Sequence, residues 1–323
     1  MKGSWREFAV MSAIAAVVAV VLLFGLGSAN LRIVTGIYMW IGLALSWNLI
    51  GGYCGYLSFG HSAFFGIGAY TAALAMTLLH LPFGVGMIMA AAAASLVALL
   101  IGVPTLRLSG AYFAIGTWAV ALVLLQLSSV LDITGGTFGL SLSPVFGERT
   151  FNMIMFGLAW ITFALVWRFV EHGRFGKKLE AIRENESAAE MLGINTTREK
   201  LVAFAASAAL PALFGAVYGI WISFIDPQAV FGPKINDPMV LMAILGGLGT
   251  LFGPVAGAII LYALNRIIWI NYGSSTAYLV ILGVVTCVIV LYAPEGLASL
   301  VEPVRRRWLR YRRGARGDLG ARD

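Results

Sequence analysis

Apolar residues come in long blocks along this chain of 323 residues: Phe8 to Ser28, Leu31 to Ile50, Gly60 to Leu79, Phe83 to Val103, Gly110 to Leu131, Phe151 to Val170, Leu201 to Ile225, Met239 to Ile268 and Thr276 to Ala293. From Ile33 to Leu106, 74 residues pass without one Asp, Glu, Lys or Arg. A helix rises about 1.5 Å per residue, so about 20 apolar residues cross the hydrocarbon core of a bilayer. That stretch alone predicts three spans, and the whole pattern predicts an all-α, polytopic membrane bundle of roughly eight to ten spans. The first block follows Lys2 and Arg6 and closes near Gly27-Ser28-Ala29. It is too long for the core of a cleaved signal peptide and reads as a retained first span.

Two blocks are interrupted. Gly51-Gly52-Tyr53-Cys54-Gly55-Tyr56-Leu57-Ser58-Phe59-Gly60-His61 separates the second from the third, and Gly246-Gly247-Leu248-Gly249-Thr250-Leu251-Phe252-Gly253-Pro254 divides the eighth. Both open on Gly-Gly and reach Phe-Gly several residues later. Irregular backbone at membrane depth needs cover from protein or from a water-filled cavity. Paired interruptions in two halves of a chain point to an internal repeat with a solute route at its interface. Gly51, Gly52, Ser58, His61, Gly246, Gly247, Gly249 and Gly253 are therefore the candidate path residues. Two plainer readings stand beside this one. Glycine is frequent here, 38 of 323 residues, and serves close helix packing; His61 can serve to satisfy carbonyls freed at a helix end. Asn48, Ser62, Tyr112 and Thr117 are further polar residues that such a route could use.

Charge gives the orientation. Hydrophobic residues make up 60% of the chain and charged ones 11%, far from soluble-protein averages of roughly 45–50% and about 25%. The formal net charge of +7 gathers at block ends and in the tail, where seven arginines lie between Arg305 and Arg316. Such clustering orients a chain toward membrane lipid and gives no reason to invoke nucleic acid. The basic segment 171–200 and the tail both belong in the cytoplasm, as do Lys2 and Arg6, which makes six spans before residue 171 self-consistent. Three further blocks would leave the tail outside, so Met239 to Ile268 must form a re-entrant hairpin or cross twice. The expected organisation is a first transmembrane half at 1–170, a cytoplasmic loop at 171–200, a second half at 201–296 and a basic tail at 297–323. Asp226, Lys234 and Asp237 fall on the outer side, where they either dock a partner or are simply solvated.

Segment 171–195 carries five of the chain's 15 acids, Glu171, Glu180, Glu184, Glu186 and Glu190, interspersed with bases. It predicts one or two short amphipathic helices between Gly176 and Gly193. Leu179, Ile182, Ala189 and Leu192 form the apolar face, and Ala188 and Gly193 allow close approach. A helix of this kind either packs on its own bundle or inserts into a groove on a partner. Cys54 and Cys287 lie inside apolar blocks and form no disulfide framework or metal spacing. No nucleophile has an evident base, so neither catalytic residues nor a cofactor are expected.

The loop resembles the coupling loop of ABC importer permeases, whose pattern is Glu-Ala-Ala, three residues, then Gly. Ser187-Ala188-Ala189 followed by Gly193 fits with Ser in place of Glu, and Leu210-Pro211 lies later than the family's Leu-Pro. The wider chain resembles permease subunits of branched-chain amino acid ABC transporters, with urea permeases closely similar. The matching stretches are Gly51 to Tyr70, Gly135-Gly136-Thr137 with Gly139-Leu140, Arg174-Phe175-Gly176 to Gly193, Gly246 to Thr250 with Gly253-Pro254, and Pro294-Glu295-Gly296-Leu297. The Arg-Glu-Asn-Glu run and Gly-Gly-Thr loop look like the longer, M-type subunit.

This resemblance implies a multi-pass protein of the bacterial inner membrane that takes in a small polar solute. Its implied partners are a second homologous permease, two ABC ATPase subunits and an extracytoplasmic solute-binding protein. The ATPase-coupling residues would be Phe175, Gly176, Leu179, Glu180, Ile182, Arg183, Glu184, Asn185, Ala188, Ala189 and Gly193. The chain has no Gly-x-x-x-x-Gly-Lys-Ser/Thr phosphate loop, in keeping with ATP hydrolysis on another chain. A urea or short-amide permease, an ATP-independent channel or secondary transporter, and a subunit that forms half a path while its partner binds solute are the alternatives. Ion-coupled carriers usually place acids inside spans, and the blocks here hold none.

Overall fold

A computed structural model describes residues 2–143, 145–273, 280 and 283–284. Its helices are α1 (Lys2–Gly25), α2 (Ser28–Asn48), α3 (His61–Thr77), α4 (Phe83–Thr105), α5 (Ala111–Val130), α6 (Glu148–Leu165), α7 (Arg174–Glu184), α8 (Glu186–Met191), α9 (Thr196–Ile222), α10 (Pro227–Phe231), α11 (Pro233–Gly246) and α12 (Phe252–Tyr272). Among the described residues seven helices are long and apolar enough to cross a membrane, and the chain is a multi-pass helical membrane protein. The block Thr276 to Ala293, Cys287, the Pro294 to Leu297 stretch and the arginine tail lie outside the described residues, apart from Val280, Gly283 and Val284.

Each long helix divides its surface between lipid and neighbours. In α4, Ala90, Ala94 and Ala98 form a fully buried stripe one residue wide, whereas Ile88, Leu96 and Leu100 on other faces are exposed. Small residues on one line let backbones approach, and the large aliphatic residues meet acyl chains at no cost. At the centre α3 and α9 run against each other. A Cβ on Gly68 would stand 2.0 Å from the Ala212 carbonyl oxygen, and one on Gly215 would stand 2.0 Å from that of Phe65. Trp47, Phe65, Phe204 and Phe214 fill the remaining space and are fully buried.

The two sequence interruptions are both real breaks. After α2 the chain makes a π-helical turn at Leu49–Tyr53 and then runs without regular structure to Gly60, while α11 and α12 are arms of a hairpin bent at Gly247 to Leu251. α3 has 17 residues and α11 has 14, so each broken pair contains one short arm. One feature departs from the all-helical expectation. At the end of α9 a two-residue strand, Phe224–Ile225, pairs antiparallel with Leu140–Ser141, in the register Leu140 to Ile225 and Ser141 to Phe224.

Candidate functional site

The two breaks, about 200 residues apart in sequence, touch. Asn48, at the last residue of α2 and fully buried, donates from Nδ2 to the Thr250 carbonyl at 2.9 Å and accepts the Gly249 N–H on Oδ1 at 3.0 Å. Its amide thus splints the second break as a neighbouring peptide would, satisfying backbone groups that the missing helical turn leaves free. Thr250 closes the turn, donating to the Gly247 carbonyl at 2.9 Å and accepting the Gly253 N–H at 3.1 Å. The approach needs glycine: a Cβ on Gly52 would meet Asn48 Oδ1 at 1.9 Å and the Gly249 nitrogen at 2.4 Å.

One candidate of the 171–200 segment, Arg183, reaches this junction. Arg183 Nη1 of α7 donates to the Gly52 carbonyl at 3.0 Å, and the same guanidinium lies against Gly249. Two more contacts bind the first break to the loop: Tyr53 donates to Glu171 at 3.0 Å, and Tyr56 donates to Glu186 at 2.6 Å. Lys200, nearly buried at the start of α9, pairs with Glu186 at 2.5 Å and donates to the Tyr56 hydroxyl at 3.0 Å and the Leu106 carbonyl at 3.3 Å. Burial pushes the Glu186 carboxyl up, but the hydrogen bonds from Lys200 and Tyr56 outweigh it and hold the group below the ordinary carboxylate value. Lys178 pairs with Glu199 at 2.5 Å and fastens α7 to α9.

The apolar face predicted for the loop is divided. Leu179, Ile182 and Ala189 are buried in the chain's own core, with Phe175 packed partly against it, while Leu192 is 79% exposed beside Met191 at 83%. Glu180, Arg183, Glu184 and Asn185 are on the exposed side, and Asn185 caps α8 by accepting the Ala188 N–H at 3.0 Å. Gly176 is buried where a Cβ would strike the Val170 carbonyl at 1.9 Å. Gly193 ends α8 at φ +81°, with Gly193 N–H bonded to the Glu190 carbonyl and Ile194 N–H to that of Ala189. That is a Schellman end, which demands left-handed backbone. Nothing lies within 4 Å of a Cβ built on Gly193, so its use here is conformation, not space.

The remaining path candidates have separate surroundings. Gly51 lies against the Trp47 ring, Gly246 against the Gly253 carbonyl, and Gly253 against Thr250. His61, fully buried, bridges the hydroxyls of Ser58 at 3.0 Å and Ser207 at 3.2 Å between the Phe64 and Phe204 rings. It ties the start of α3 to α9 through side chains, not through freed carbonyls. None of Gly51, Gly52, Ser58, His61, Gly246, Gly247, Gly249 and Gly253 lines either of the two cavities described in the chain. The contacts of Lys200 with Glu186 and Tyr56, and of Glu171 with Tyr53, are ones that no sequence spacing could reveal.

The chain matches the sequence profile of the family described as branched-chain amino acid transport system / permease component over residues 30–291. It is 27% identical to the high-affinity branched-chain amino acid transport system permease protein LivM of Salmonella typhimurium, over 86% of this chain and 71% of that protein. The autoinducer 2 import system permease protein LsrC of Klebsiella pneumoniae is 27% identical over 51% of this chain and 50% of its own length. The ribose import permease protein RbsC of Escherichia coli is 28% identical over 33% and 34%. Among solved structures, PsaBC from Streptococcus pneumoniae in complex with Fab overlays with a TM-score of 0.46 and 14% identity, over 85% of this chain and 95% of that one.

Proposed function

This chain belongs to the branched-chain amino acid transport permease family, and we propose that it is a membrane-spanning subunit of an ABC importer for branched-chain amino acids or a related small polar solute. A second permease would complete the path, two ATPase subunits would bind on the 171–200 side, and a solute-binding protein would deliver cargo to the opposite end. The termini and the 171–200 loop are then cytoplasmic, with transmembrane halves at 1–170 and 201–296 and the tail at 297–323. The chain would be a transport subunit, not an enzyme.

The observation that carries this reading is the bond from Arg183 to the Gly52 carbonyl, at the point where the two breaks meet. α7 and α8 are fastened to the bundle through Leu179, Ile182, Ala189, Lys178 and Glu186, so a force applied to their exposed side is transmitted and not absorbed. Closure of the ATPases would push α8, swing α7 and draw on the Gly52–Gly249 junction. Unwound backbone has fewer internal hydrogen bonds to break than a helix, so the bundle would rock there. The residues offered to the ATPase are Met191 and Leu192, large apolar side chains projecting into water next to charged neighbours.

The test is Met191→Asp with Leu192→Asp. This double variant should remain membrane-inserted and monodisperse, because neither side chain packs inside the chain. It should lose ATPase co-purification and at least about tenfold of uptake, the size expected when apolar anchors are lost from an interface. Unchanged uptake would overturn the reading, and ATP-independent uptake by the isolated chain in vesicles would favour a channel. Gly193 gives a second, conformational test. Gly193→Val adds about 1–2 kcal/mol of left-handed strain and should raise the ATP consumed per solute imported. Gly193→Asn, which tolerates positive φ, should stay near wild type. Equal ratios in the two variants would count against a role for the helix end.

A further inference from the structure

Where α2, α9, α10, α11 and α12 converge, a cavity of about 610 Å³ opens at the end of the bundle opposite the 171–200 loop. α9 runs 27 residues from that loop, about 40 Å, before its final turn reaches this cavity. The volume lies within the 300–1,000 Å³ typical of small-ligand sites. One acid and one base line it, Asp226 and Lys234. Asp226 Oδ1 accepts the Ala229 N–H at 3.0 Å and caps α10. Among the described residues its second oxygen and the Lys234 ammonium have no partner.

The rest of the wall includes Met39, Trp40 and Trp221. Trp221 is fixed in place: its indole N–H donates to Glu148 Oε2 at 3.0 Å, and Glu148 Oε1 accepts from Arg32 at 2.6 Å. A solute entering this cavity thus meets a carboxylate, an ammonium and preset apolar surfaces. We propose that the cavity is a binding site for a zwitterionic α-amino acid. Asp226 takes the solute's ammonium, Lys234 takes its carboxylate, and Met39, Trp40 and Trp221 hold its apolar side chain. A neutral diamide such as urea can hydrogen-bond to both groups but neutralises neither charge, and a purely anionic or cationic solute leaves one of them unmatched. The site rests on the importer reading given above and narrows it to amino acids over urea and short amides.

The probe is L-leucine, with L-leucinamide, which lacks the carboxylate, and 4-methylpentanoate, which lacks the ammonium. The full chain in nanodiscs should change its tryptophan emission on adding L-leucine and respond at least about tenfold more weakly to either analogue, as expected for loss of one charge-assisted contact. Asp226→Asn retains the cap of α10, since asparagine caps equally well, and Lys234 is exposed, so both variants should fold. In the assembled transporter Asp226→Asn and Lys234→Gln should each raise the half-saturating leucine concentration by about tenfold or more. Leucine uptake that is normal in the wild type and unchanged in both variants would overturn the cavity assignment and leave the importer reading intact. A wild-type complex that imports no amino acid, with no emission change on adding leucine, would overturn both.

Discussion

Gly52→Ala should abolish uptake in a protein that still reaches the membrane. The added methyl would sit 1.9 Å from Asn48 Oδ1 and 2.4 Å from the Gly249 backbone nitrogen, distances no Cβ contact tolerates. Asn48 cannot swing aside cheaply, because it is fully buried and both ends of its amide are engaged, to Thr250 and to Gly249. Relief requires the two breaks to separate. Separation strands the Gly249 N–H and the Thr250 carbonyl in an interior without water, at about 1–3 kcal/mol per unsatisfied group. It also moves the Gly52 carbonyl off Arg183, removing the link between α7 and the junction. The matched control is Gly157→Ala in α6, where nothing lies within 4 Å of the new methyl and alanine is the better helix former by about 1 kcal/mol. Solute uptake in proteoliposomes, with gel filtration to confirm folding, reads both. Wild-type uptake by Gly52→Ala would show that the junction does not have to stay closed during transport.

What could be seen in the sequence and what could not divide along the same physical line. Spans were legible because their cause is local: about 20 apolar residues satisfy the membrane whatever the neighbours are. The breaks were legible for the same reason, since Gly-Gly weakens a helix wherever it stands. Their meeting was not, because the Asn48–Thr250 contact joins residues 202 positions apart, and a single asparagine in an apolar block has no periodicity to announce its partner. The loop helix shows the limit most clearly. Amphipathic spacing grouped Leu179, Ile182, Ala189 and Leu192 on one face, but spacing says nothing about what covers a face: the bundle itself covers the first three and leaves Leu192 exposed. The paired strands at Leu140–Ser141 and Phe224–Ile225, two residues each, are too short to carry an alternation. Lys200 read as an orientation marker at the start of a span. Its burial beside Glu186 and Tyr56 gives it a second task, holding α8 against the first break.

That second task is unequally shared, so the two halves of the pair should fail differently. The Lys200 side chain is 6% exposed and that of Glu186 is 36% exposed. Glu186→Gln leaves the Lys200 ammonium in its enclosed position with uncharged acceptors alone: the new amide oxygen, the Tyr56 hydroxyl and the Leu106 carbonyl. Stranding one member of a buried pair costs about 3–5 kcal/mol, and the partial exposure of this pair places the loss near the lower end. Lys200→Met replaces the ammonium by an apolar chain that suits its surroundings, and the Glu186 carboxylate can turn to water. Glu186→Gln should therefore lower the unfolding temperature and uncouple ATP hydrolysis from uptake more severely than Lys200→Met does. The pH dependence follows from the same geometry. A carboxyl held below its ordinary value contributes stability that is complete above the ordinary carboxylate range and is lost as pH falls through the lowered value. Protection of α8 backbone amides from hydrogen exchange should therefore persist at about pH 5 and decline only as pH falls below the ordinary carboxylate range, and in Glu186→Gln it should be low throughout. Equal damage from the two substitutions, or protection in Glu186→Gln that matches wild type at pH 5, would mean that α8 is held by Ala189 and the caps alone and that the ion pair contributes nothing to its position.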